Sequence, residues 1–274
     1  GIAMAKLGAG WSSLALGIGL ALLLSAALAF AIGLLSLRVR AIFFAMITLA
    51  VASFFQILAS QLSWLTGGED GVTYKLPELL SPATKLMDAP IFGVEVNGRL
   101  LSYYLVFIAA LALFLVLLRV VNSPFGRVLL SIRENEFRSE ALGYRIVSYR
   151  TAANCIGALG ATLAGALYAI WLRYTGPDTT LSFNIMIDIL LMVVIGGMGT
   201  IYGAAVGATL FVIAQNYLQD LMKLASAARQ GVPLLPDLLH PDRWLLWLGV
   251  LFILCVYYFP YGIVGGLRMR AARN

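Results

Sequence analysis

The sequence predicts an all-helical polytopic membrane protein with about seven transmembrane helices, and three observations predict it. Of 274 residues, 61% are hydrophobic and only 12% are charged, where soluble domains run to roughly 45–50% and about 25%; the mean hydropathy is +0.91. The apolar residues fall into uncharged windows near the ~20-residue length that a helix needs to cross a bilayer. The basic residues cluster between those windows. This composition excludes a soluble enzyme and a disordered chain, and two cysteines cannot framework a chain of this length. The formal charge of +6, from 19 Lys+Arg against 13 Asp+Glu, orients the spans and gives no reason to invoke nucleic acid.

Taken in order, the first window lies within Trp11 to Leu37 and stops at Arg38 and Arg40. The second runs from about Ala41 to Leu65, and the third, Leu100 to Leu118, is closed by Arg119. Thr151 to Leu172 is the fourth. The apolar stretch from Leu181 to Leu218 is too long for one crossing, and Gly196-Gly197-Met198-Gly199 is its natural break. That gives a fifth span of about Leu181 to Ile195, short enough to be tilted or partly re-entrant, and a sixth of about Ile201 to Leu218. Trp244 to Val264 is the seventh, ahead of a basic tail. The whole of 1–274 reads as one transmembrane domain, with a large loop at 119–150 and another, on the opposite side, at 66–99.

Sidedness follows from charge. With the Arg38/Arg40 turn inside, alternation places 119–150, the 196–200 turn and the C-terminal tail inside too. Those segments hold two, six, none and three Lys/Arg, against Glu134, Glu136 and Glu140 as the only acids. Every basic cluster thus satisfies the positive-inside rule at once, predicting a cytoplasmic C-terminus and a 66–99 loop on the outer side. An odd number of spans ending inside puts residue 1 outside. Because the sequence starts at Gly1 without a basic n-region, the topology predicts an upstream portion carrying at least one more span.

The chain shows no catalytic signature. None of Lys6, Lys75, Lys85 or Lys223 follows a glycine, so no phosphate loop is present and ATP hydrolysis is not expected of this chain. His240 is the single histidine and Cys155 and Cys255 lie in apolar spans; no metal site or cofactor is predicted. The 123–143 segment is richer. Ser123 can cap, Pro124 can open and Gly143 can end a helical region, and Glu134 and Arg138 are spaced i,i+4 in the favourable order. Val128, Leu129, Ile132, Phe137, Ala141 and Leu142 form an apolar set that drifts round the helix. An amphipathic helix parallel to the membrane is predicted, resting on headgroups or docking a soluble partner; the three acids among its arginines favour docking.

Small residues at four-residue spacing, Ala153, Gly157, Ala161, Gly165 and Ala169, and again Gly199, Gly203 and Gly207, predict close helix packing. Asp188 stands inside the apolar fifth window, where an aspartate at mid-span costs roughly 2.5–3.5 kcal/mol. It either reaches a membrane boundary or lines a polar pathway with Asn184, one turn earlier; Gln56 in the second window is a further polar candidate. An ion-coupled secondary transporter would usually carry paired intramembrane charges, and only Asp188 is available. A membrane-embedded enzyme would need a His/Asp/Glu cluster, which the spans do not provide.

The run Arg133-Glu134-Asn135-Glu136, then Ala141-Leu142-Gly143-Tyr144, Gly165-Ala166-Leu167-Tyr168, and Leu190 to Ile195 with Gly196-Gly197-Met198-Gly199-Thr200, resembles the permease subunits of bacterial high-affinity branched-chain amino acid ABC importers, the LivM type. Phe44 to Ala50 and Leu65-Thr66-Gly67-Gly68 extend the resemblance, which covers roughly Gly33 to Leu218. It implies a partner permease, two cytoplasmic ATPase subunits that bind ATP and magnesium, and a periplasmic binding protein. It also implies that Arg127, Arg133, Glu134, Asn135, Glu136, Arg138, Glu140 and Gly143 belong to a coupling helix docking on an ATPase. The position of Asp188 is usually acidic in the family. Related permeases carry urea or short amides and commonly have arginine at the position of Met198, so Met198 implies an amino acid substrate.

Overall fold

The computed structural model describes residues 1–35, 41–81, 97–228 and 244–258, with Gly262 and Gly265. Arg38, Arg40, His240, the 82–96 part of the 66–99 loop, most of the end of the seventh window and the basic tail lie outside the described residues. Two compact units result, Gly1–Ser182 and Phe183–Asn274. Five helices are long and apolar enough to cross a bilayer: Trp11–Leu34, Gly98–Val121, Ile146–Leu172, Pro177–Gly196 and Ile201–Lys223. Ala45–Gln61 with Ser63–Asp70 makes a sixth if counted as one broken span, and Leu246–Cys255 is a shorter apolar helix. Five or six spans, rather than seven, therefore meet the length criterion among the described residues.

In the first unit the helices are α1 (Ile2–Leu7), α2 (Trp11–Leu35), α3 (Ala41–Gln61), α4 (Ser63–Thr66), α5 (Gly98–Val121), α6 (Pro124–Glu134), α7 (Glu136–Ala141), α8 (Ile146–Leu172) and α9 (Pro177–Thr180). The central contact is α2 lying along α8. Gly33 makes it close, because a Cβ there would sit 2.8 Å from Thr151 Cγ2, and the Asn154 side-chain amide donates to the Ala29 carbonyl at 2.7 Å. Helix α5 packs on α8 as well.

The second window does not run straight to Leu65. Helix α3 stops at Gln61, and Ser63–Asp70 leaves at 79°. Gly67 and Gly68 take positive φ, 79° and 69°, a conformation open to glycine at little cost. The Thr66 hydroxyl lies 2.5 Å from the Ala59 carbonyl and 2.9 Å from that of Leu62, and accepts the Gly68 N–H at 3.2 Å. Thr66 thus satisfies the Ala59 carbonyl across the bend, while the Leu62 carbonyl also accepts the Leu65 and Thr66 N–H groups.

Past the bend, β1 (Val72–Thr73) pairs antiparallel with β2 (Tyr174–Thr175), Val72 opposite Thr175 and Thr73 opposite Tyr174. This pairing folds the loop back on the helix ends, where Met4, Tyr74, Leu76, Leu80 and Ile170 form a buried cluster. Tyr74 is 8% exposed and donates to the Ala169 carbonyl at 2.8 Å. Burial pushes its phenol up to about 12. The folded chain therefore holds this proton more tightly than the unfolded chain, where tyrosine titrates near pH ~10. The resulting stabilisation is complete below pH ~10 and is lost as pH rises through about 12. Tyr74→Phe should cost about 1 kcal/mol at neutral pH and remove this alkaline step, as thermal unfolding measured across that range would show.

The second unit contains α10 (Phe183–Gly196), α11 (Ile201–Ala228) and α12 (Trp244–Tyr258). Ile195, Phe211 and Leu248 form its buried cluster, with Met192 and Phe252 against them. Positive φ at Gly197 (118°) and Gly199 (132°) makes the turn between α10 and α11, where the sequence places the break.

Candidate functional site

The loop between α5 and α8 is the most constructed surface in the first unit. Ser123 caps α6: its Oγ donates to the Val120 carbonyl at 2.6 Å and accepts the Gly126 N–H at 3.4 Å, with Pro124 at the first helical position. Ile132 is buried, Val128 and Leu129 are half-buried, and Arg127 and Arg133 are exposed. The amphipathic reading holds for this helix.

The single helix expected over 123–143 is in fact two. Asn135, at φ −154° and ψ 101°, ends α6 and caps α7, its Oδ1 accepting the Arg138 N–H at 2.9 Å. The joint is fixed by Ser139, fully buried, whose hydroxyl donates to the Asn135 carbonyl at 3.0 Å and lies 2.9 Å from the Ser131 hydroxyl. The break removes the helical register between Glu134 and Arg138. Among the described residues the ion pair of this loop is instead Glu136 with Arg150, at 2.7 Å. Gly143 lies beyond α7 at φ 87° and donates its N–H to the Glu140 carbonyl at 2.8 Å.

Two further contacts anchor the pair to the spans: Phe125 stacks on Tyr149 at 5.6 Å, and Tyr144 meets Tyr149 edge-on at 5.9 Å. The side left open carries Phe137, 83% exposed, and Leu142, 69% exposed, among exposed Arg133, Glu134, Arg138 and Glu140. One exposed aromatic and one exposed leucine thus sit within a polar rim. Ser131, Ser139 and Arg150 were not singled out by sequence; the only local signal was an Asn able to cap at 135.

The pathway candidates divide between the units. Asp188 is half-exposed and Asn184 exposed, one turn apart on α10. Among the described residues Asp188 forms no ion pair. Gln56 is half-buried on α3, where its backbone carbonyl accepts the Ser60 hydroxyl at 3.2 Å.

The packing candidates also divide. Gly203 and Gly207 sit in backbone contact with α10: a Cβ on Gly207 would meet the Met192 carbonyl, and one on Gly203 would lie 2.8 Å from the Gly196 carbonyl. Gly199 belongs to the exposed turn. On α8, nothing lies within 4 Å of a Cβ on Gly157 or Gly165, and Ala161 is exposed. A four-residue repeat drifts about 40° per step on a helix of 3.6 residues per turn, so this ridge does not stay on one face. Within the chain α8 meets α2 through Thr151 and Asn154 instead.

The family described as "Branched-chain amino acid transport system / permease component" matches residues 1–263. The chain is 28% identical over 257 residues to a probable branched-chain amino acid transport permease protein LivM of Methanocaldococcus jannaschii, covering 90% of this chain and 69% of the relative. It is 29% and 26% identical to the high-affinity branched-chain amino acid transport system permease proteins LivM of Salmonella typhimurium and Escherichia coli, over 81% and 80% of this chain. Its match spans 55% and 54% of those two relatives, about half their length. No solved structure matches significantly. With apolar helices of spanning length, this chain belongs to the permease-component family of branched-chain amino acid transport systems.

Proposed function

We propose that the chain is a transmembrane subunit of an ATP-driven importer of branched-chain amino acids in the inner membrane, with its C-terminus in the cytoplasm. It pairs with a second permease subunit. Two ATPase subunits, carrying ATP and magnesium, dock on the α6–α7 pair, and a periplasmic binding protein delivers the substrate.

The observation that supports this best is the α6–α7 pair itself: its Phe137 points out, while Ser123, Glu136–Arg150 and Phe125–Tyr149 tie its other side to α5 and α8. A partner that moves on binding ATP would move two spans with it, which is the mechanical requirement of alternating access. Uptake into vesicles by the assembled full-length protein should require ATP, the binding protein and a competent ATPase, and should favour leucine, isoleucine or valine over urea. Uptake that survives loss of the ATPase and follows an ion gradient would reject this reading.

On the same reading Asp188, one turn after Asn184 on a mainly apolar helix, offers the substrate ammonium a transient partner. Asp188→Asn should lower uptake about tenfold, on the order of 1.4 kcal/mol, with assembly unchanged. Wild-type uptake by this variant would remove Asp188 from the pathway.

A further inference from the structure

The face that α5 and α8 turn away from α2 is shaped for a ligand of another kind. Between them runs an apolar groove of about 620 Å³, bounded along α5 by Tyr103, Ala110 and Leu117 and along α8 by Ala164, Leu167 and Trp171. Tyr103 to Leu117 is about 21 Å of helix, comparable with an extended acyl chain. At one end the lining changes character. Tyr103 and Trp171 also border a cavity of about 290 Å³ that includes Asn97 and Arg99. Arg99 and Trp171 in turn border one of about 340 Å³ that includes Arg173. An apolar channel thus leads past two interfacial aromatics to two guanidinium groups, at the ends of α5 and α8 that lie together.

Among the described residues neither Arg99 nor Arg173 forms an ion pair. Arg173 is held in place, with φ 58° and its Nη2 donating to the Leu80 carbonyl at 3.3 Å, a carbonyl that also receives the Ser102 hydroxyl at 3.1 Å. Its Nε–H is buried and finds no acceptor among the described residues, although buried donors are almost always satisfied. Tyr and Trp at this level mark the headgroup region of a bilayer, where arginine meets phosphate.

We infer that this groove is a binding site for one anionic phospholipid, its phosphate between Arg99 and Arg173 and an acyl chain along Tyr103–Leu117. A substrate amino acid has no use for such a channel, and a zwitterionic lipid supplies no net charge to match two arginines.

The test uses the full-length protein in its natural assembly, incubated in detergent with equal amounts of phosphatidylglycerol and phosphatidylcholine and read by native mass spectrometry. Phosphatidylglycerol should be retained at least fivefold over phosphatidylcholine. Arg99→Gln and Arg173→Gln should each weaken that preference about fivefold, the effect of one basic side chain at a charged lipid surface, while Arg99→Lys should preserve it. Ala164→Phe, which fills the groove without touching charge, should lower retention of both lipids together. Should Arg173→Gln fail to assemble, Arg99→Gln, on an exposed position of α5, carries the test. Equal retention of the two lipids by the wild type overturns the proposal. So does a preference that survives both arginine substitutions, or crosslinking of an Ala164→Cys variant to another protein subunit in place of lipid. Loss of stimulation by a soluble binding protein with lipid preference intact would assign the arginines to protein docking and overturn it as well.

Discussion

Phe137→Asp should reduce ATP-dependent uptake by about thirtyfold or more while leaving the chain inserted and folded, because aromatic anchors at docking surfaces contribute ~2 kcal/mol or more each. The side chain is 83% exposed at the start of α7, so its loss removes no internal packing and any effect reads the partner. Reversing Glu136 mixes two effects, since its carboxylate holds Arg150. That pair is solvent-exposed, however, and is worth ~0–1 kcal/mol at most, so Glu136→Arg should also leave the fold intact. Leu142→Ala, at the edge of the same face, should cost less than Phe137→Asp. Co-purification of the ATPase subunits with each variant, measured beside uptake, separates failed docking from failed coupling. Uptake by Phe137→Asp within twofold of wild type would place this face on lipid headgroups and remove its docking role.

What could be read of this surface from sequence was what is local. Ser123-Pro124 announces a helix start because cap and first-turn geometry depend on adjacent residues, and α6 begins there. The break at Asn135 depends on Ser139 being buried against Ser131, a tertiary condition that charge spacing does not report. The same holds for the pairing of Val72–Thr73 with Tyr174–Thr175: strands of two residues have no periodicity to detect. Helix existence was legible in all seven windows, since an uncharged run of this kind has few alternatives. Which face of each helix meets protein was not. In water apolar residues mark the buried side, but lipid is as apolar as leucine, so Leu23 on α2 at 70% exposure and Ile170 on α8 at 5% look alike in the sequence. The ridge on α8 and the glycines of α11 have the same spacing and opposite surroundings for that reason.

That contrast carries a second large expected effect. At Gly207 a Cβ would collide with the Met192 carbonyl and approach the backbone nitrogen and Cα of Gly196 to 2.6 and 2.8 Å; at Gly196 it would collide with the Gly203 carbonyl. Every one of these neighbours is backbone, so no rotamer change relieves the contact. Ordinary overpacking of side chains costs about 1–3 kcal/mol. Gly207→Val should exceed that range, because α10 and α11 must separate and lose the burial of Ile195 and Phe211. The expected outcome is loss of monodisperse protein in detergent, with Gly207→Ala intermediate. Gly157→Ala is the matched control. It has the same spacing on α8, but nothing lies within 4 Å of the added carbon, and replacing a mid-helix glycine by alanine favours the helix by ~1 kcal/mol. Its melting temperature should therefore stay level or rise. A Gly207→Val protein that stays monodisperse and melts within a few degrees of wild type would mean that α10 and α11 do not touch backbone to backbone, and that the glycines at 196, 203 and 207 are there for the turn alone.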